Sequence, residues 1–197
     1  MIYLCNDLFS KFMTTPVFNL EKSLQVILYV ANKLQRKDFH KIFKIIYFAD
    51  REHLSKYGRA ITGDTYIAMK DGPVPSKIDD IFKAVRGDSF FASNAAIDKF
   101  SESFNVHDWY FINPRKQANL NYLSESDIEE LDRSIAMYGN MSWDEIREKS
   151  HDYAWRATAE NRQISIENIM RENGTEEDFI SYVADDINTY KSFVSCS

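Results

Sequence analysis

From Leu20 onward, apolar residues fall at Leu24, Ile27, Leu28, Ala31 and Leu34, steps of three and four that put them on one face of a helix. Asp38 stands where an N-cap belongs, ahead of a run (Ile42, Phe43, Ile45, Ile46, Tyr47, Phe48, Ala49) that is apolar on nearly every side. A helix with no solvent face is expected at the centre of the fold, and this one should end near Gly58. Thr65 to Met69 favours a short strand stopped by Asp71-Gly72-Pro73. Ser76 with Asp79 resembles a capping box for a helix striped by Ile78, Ile81, Phe82 and Val85 and ended by Gly87.

Residues 87 to 102 mix Gly, Ser, Asn and Ala and read as a loop able to carry a helical turn. Phe104, Val106, Trp109, Tyr110, Phe111 and Ile112 form a β-rich segment stopped by Asn113-Pro114, the natural partner for the strand at 65–69. Helix resumes at Ser124 or Ser126 and runs through Ile128, Leu131, Ile135 and Tyr138 to Gly139. Ser142 with Glu145 caps a short helix through Ile146, and a segment near Ile164 to Met170 stops at Gly174. Thr175 with Asp178 opens a last helix striped by Phe179, Val183, Ile187 and Tyr190. The expected class is mainly α (α+β): a single helical domain with a small antiparallel two- or three-stranded sheet.

The chain has 197 residues, 44% of them apolar, enough for one real core. Its net charge of −6 argues against a nucleic-acid binder and is unevenly spread, +4 over residues 1–120 and −10 over 121–197. An acidic face for a basic partner and an ordinary solvated face both fit that imbalance. Autorepression by DNA binding lacks a basic recognition helix. Two cysteines, Cys5 and Cys196, suggest neither a disulfide framework nor a zinc site and fit a reducing cytoplasm. MIYLCNDLFSKFMTTP lacks the basic and apolar regions of a secretory signal, and the longest apolar runs fall far short of the ~20 residues a membrane helix needs.

Within GDTYIAMKDGPVPS, residues 63–76, a phosphate-cradling loop would need several convergent backbone N–H groups. Only Gly63 and Gly72 are glycine, and Pro73 and Pro75 each remove an N–H, so the stretch reads as a rigid strand–turn–helix joint. The run YFADREHLSKYGRAITGDTYIAMKDGPVPS at 47–76, followed by LSESDIEELD at 123–132 and SHDYAW at 150–155, resembles the Panacea domain, the family of SocA-like antitoxins and GepA-like phage-associated proteins. The resemblance divides the chain into an N-terminal extension (1–19), a Panacea-like domain (20–160) and a C-terminal helical segment packed on the same domain (161–197). It implies a cytoplasmic antitoxin that binds a cognate protein toxin directly, without a cofactor, or an adaptor that hands the toxin to a protease; a second copy of the chain is a further partner class. In its motifs Asp50, Arg59, Gly63, Asp64, Gly72, Pro73, Pro75 and Trp155 are expected to serve structure, Asp50 through Arg59 or a loop N–H.

Chemistry has few other footholds. His107-Asp108 and His151-Asp152 suggest a metal-dependent hydrolase, but the first pair falls in a β-rich segment and the second at a helix boundary, where Asp caps. Glu52-His53 has no second histidine at zinc-protease spacing, so His53 reads as a hydrogen-bonded core-edge residue. No Ser or Cys sits in a nucleophile setting. Trp109, Trp143 and Trp155 could anchor an interface, since aromatics dominate binding hot spots, but they read as core because most of the 14% aromatics must be buried. Partner binding is expected from the strand-and-turn residues Tyr66, Met69, Lys70 and Asp71, and from the acidic last helix around Glu176, Glu177, Asp185 and Asp186.

Overall fold

A computed structural model describes residues 18–88 and 94–195. Cys5, Cys196 and most of the expected N-terminal extension lie outside them, as do residues 89–93 of the expected loop. The architecture is mainly α with two small antiparallel sheets. Helix α1 (Leu20–Lys33) is capped by Asn19, and α2 (Phe39–Tyr57) starts at an Asp38 cap and ends at Gly58, whose φ of 69° only glycine adopts freely. The expected central element is α2: it packs against α1 and several elements that follow it in the chain, and is buried for most of its length. Burial on all sides carries polar residues inside as well, so Lys41, Lys44, Asp50, Arg51 and His53 are all in the interior. Helix α1 buries more than its predicted face; Val26 and Val30 are fully enclosed.

Strands β1 (Tyr66–Met69) and β2 (Gly72–Pro75) form a tight hairpin around Lys70-Asp71, so the stretch expected to be only a turn is itself a strand. Its prolines are tolerated because of register. Pro73 and Pro75 face Ala68 and Tyr66, whose backbone groups bond instead to Asn161, Arg162 and Ile164 on the other side of β1, so the missing N–H groups cost no ladder bond. Helix α3 (Ser76–Arg86) follows without a linker. Ser76 does not cap it; the Asp64 carboxylate reaches across to accept from Lys77 N (3.1 Å) and Ile78 N (2.9 Å), while Asp79 pairs with Lys83.

Where a loop was expected, α4 (Asn94–Ser103) forms, held by Phe100 packing edge-on against Phe104. The β-rich segment does not join β1. It folds on itself as β3 (Phe104–His107) and β4 (Phe111–Pro114), because residues 108–110 turn the chain back and the second strand's free groups go to Lys37 and the Asp38 bridge.

Helices α5 (Glu125–Tyr138) and α6 (Trp143–Ser150) begin with the capping boxes Ser124/Asp127 and Ser142/Glu145, settling Ser124 over Ser126. The short α7 (Tyr153–Arg156), α8 (Ile166–Glu172) and α9 (Glu177–Ser195) complete the order. The Thr175 hydroxyl makes no capping bond and is buried without a hydrogen-bond partner. Val183 and Ile187 are buried along α9 and Phe179 partly so, whereas the Tyr190 side chain lies outside the described residues.

Candidate functional site: a buried polar frame and the surface it holds

Lys44, Tyr47 and Arg51 recur at three and four residues along one face of α2 and meet the segment 150–155. Tyr47 Oη donates to Asp152 Oδ2 (2.7 Å), and Arg51 Nη1 lies 3.2 Å from the same oxygen. Asp152 also caps α7 by accepting from Trp155 N (3.0 Å), so the second His-Asp pair supplies a cap, as its helix-boundary position implies. Trp155 Nε1 donates to the Met69 carbonyl (2.9 Å), and its ring lies flat on His151 at 3.8 Å. Two motifs a hundred residues apart thus lock together and fix the β1–β2 hairpin.

Lys44 Nζ completes the frame by donating to the Pro73 carbonyl (2.8 Å). Burial pushes its pKa down to about 7, although Asp71 and Asp152 oppose the shift. Burial also lowers His40 to about 4, reinforced by Lys44. Between about pH 7 and 10.5 the unfolded chain therefore binds more protons at Lys44 than the folded one, so folded stability rises with pH across this window. Lys44→Met is expected to flatten that rise, measured by urea unfolding of both proteins at pH 7 and 9.5.

Asp50, beside this face on α2, is fully enclosed. Its Oδ1 accepts from Ile61 N (2.7 Å) and Thr62 N (3.1 Å), and its Oδ2 from Thr62 Oγ1 (2.6 Å) and Tyr66 Oη (2.7 Å). Burial raises its pKa, and these donors pull it back. The tie to the following loop is thus made by loop N–H groups and hydroxyls. Arg59 instead pairs with Asp127 (3.2 Å), which also holds Lys22 (2.7 Å). Burial would raise Asp127, but Lys22 and the Ser124 N–H hold it below its ordinary value. His53 donates from Nδ1 to the Arg59 carbonyl (2.7 Å), its Nε2 lies 3.0 Å from Ser126 Oγ, and burial lowers its pKa.

The surface residues divide. Tyr66, expected to offer an exposed polar tip, is buried with its hydroxyl on Asp50, because its place in β1 turns it inward. Met69 and Lys70 are exposed at the hairpin tip, and Asp71, half-buried, accepts at its carbonyl from His40 Nε2 (3.3 Å) near the start of α2. Glu176, Glu177 and Asp185 are exposed and Asp186 is half-buried, with Glu177 held by Arg171. Phe179 and Val183 on that helix stand beside Gly58, so the two expected surfaces occupy opposite ends of α2, a helix about 28 Å long by its rise per residue.

Trp143 and Trp155 are half-buried, each stacked on a histidine. Trp109 is not core: it is 67% exposed beside a 62% exposed Tyr110, on the turn after the first His-Asp pair. No glycine or proline marks the turn at 108–110, so the sequence reads there as one continuous β-rich segment. Among the described residues, no group of three or more His, Cys, Asp or Glu is arranged to hold a metal ion, and no helix is long and apolar enough to cross a membrane.

A protein-family model described as antitoxin SocA-like, Panacea domain, matches residues 42–156, more than half of the chain and nearly all of the frame just described. No curated protein and no solved structure matches it.

Proposed function

The chain belongs to the SocA-like Panacea family, and from that premise we propose that it is the antitoxin of a toxin–antitoxin pair, neutralising a cognate protein toxin in the cytoplasm by direct binding. What carries the reading is how the motif residues are spent. Tyr47, Asp50, Asp152 and Trp155 direct their polar groups inward to hold a β-hairpin in place, which suits a scaffold that presents a surface. Met69 and Lys70, at the rigid tip, belong to that surface, and an interface of standard size would bury on the order of 1,600 Å² in total.

Co-expression with the protein encoded beside it tests this: the toxin alone should stop growth, the pair should grow, and the two should co-purify in near-equal amount. No rescue and no complex would overturn the reading. A shortened toxin half-life would replace blocking with delivery to a protease. In the same assay, Met69→Asp with Lys70→Glu is expected to weaken the complex at least tenfold while leaving the circular dichroism and melting temperature unchanged.

A further inference from the structure

We propose that the β3–β4 hairpin tip, Asp108-Trp109-Tyr110, is the anchor by which the chain grips that protein partner, its two rings entering an uncharged apolar pocket on the partner. This rests on the antitoxin reading and names where its contact is made. Asp108 and Trp109 have φ of 45° and 66°, two consecutive side-chain-bearing residues in the left-handed region. Glycine would take these angles without strain, and such strain persists mainly where the surroundings enforce it for a use.

The surroundings do enforce it. The Tyr110 carbonyl accepts from Phe39 N (2.8 Å), and the Trp109 carbonyl accepts from Arg86 Nη1 (2.8 Å). Ile112 N donates to the Lys37 carbonyl (3.0 Å), and the Tyr110 ring meets Phe39 edge-on. The backbone is tied on three sides while both rings remain largely in solvent, so binding would pay little to order them. Exposed, pre-positioned Trp and Tyr are the residue types that dominate interface energetics.

Charge selects the occupant. Arg86, which lies over the Trp109 ring, pairs with Asp88, and Arg36, over Phe111, pairs with Asp38. Each of these two guanidinium groups is matched by a carboxylate, which favours an uncharged protein pocket over a polyanion. The tip also adjoins the surface already proposed: Phe39 and His40, consecutive on α2, hold Tyr110 and Asp71 respectively.

The test uses the full chain, its Trp109→Gly and Trp109→Phe variants, and the toxin from the rescue experiment. Trp109→Gly is expected to keep or raise the melting temperature and to weaken toxin binding at least thirtyfold, with Trp109→Phe recovering most of the loss. Trp109 is the one exposed tryptophan among the three, so iodide quenching of the free chain should fall when the toxin binds. Wild-type affinity in Trp109→Gly would overturn the anchor while leaving the antitoxin reading intact; absence of any wild-type complex would instead end that reading. A loss of more than about 5 °C in melting temperature would make the turn structural and overturn the proposal. Quenching by an oligo(dT) strand, or self-association abolished by Trp109→Gly, would overturn it in favour of nucleic acid or a second copy.

Discussion

Asp50→Ala is expected to cost about 4 kcal/mol or more, the largest single effect in this chain. The carboxylate accepts four hydrogen bonds inside the protein, and alanine strands two backbone N–H groups and two hydroxyls, each left unpaired at about 1–3 kcal/mol. Two contributions reduce the sum: the recovered cost of burying a carboxylate, whose raised pKa marks it, and relaxation of the loop at 61–62. Tyr66→Phe removes a single donor and should cost only about 1 kcal/mol. Urea unfolding of the three proteins at neutral pH measures both. If Asp50→Ala unfolds within about 1 kcal/mol of the wild type, the carboxylate is not the tie between α2 and the hairpin.

Gly72→Ala is expected to lose about 3 kcal/mol, from two causes that can be separated. The first is conformational: φ is 99°, an angle costly to any residue with a Cβ. The second is contact. A Cβ at this position would lie 2.4 Å from Ser150 Oγ and 2.7 Å from Lys44 Nζ. Moving Lys44 breaks its bond to the Pro73 carbonyl and strands a buried amine, so the neighbours cannot yield cheaply. Ser150→Ala placed on Gly72→Ala should recover part of the loss and none of the backbone strain, giving a favourable coupling in a double-mutant cycle. Purely additive losses would show that the backbone angle alone requires glycine. Because Gly72 opens β2, the variant should also displace Met69 and Lys70 and weaken the proposed partner binding beyond what lost stability explains.

Much of the scaffold was legible because its causes are local. A run apolar on nearly every side is expected at the centre, and α2 lies there. Asp38, Ser124 and Ser142 carry side chains that accept from N–H groups three residues on, so those helix starts follow from a few adjacent positions. The capping pattern misled at Ser76, where Asp64 from another segment took the N–H groups, and at Thr175, whose hydroxyl makes no such bond. The β-rich segment at 104–112 was recognisable as strand, but not its partner, because pairing depends on which chain can turn back within reach.

The candidate site divides in the same way. By itself the sequence determined the family, the central helix and the residue types from which the buried frame is built, since these rest on order and spacing along the chain. Only the tertiary structure decided that Tyr47 meets Asp152, that Asp50 is satisfied by loop N–H groups rather than Arg59, that Tyr66 points inward and that Trp109 points out. Each of these is a question of which of several polar partners, or which side of a strand, comes within three ångströms, and that is fixed by the packing of segments far apart in the chain.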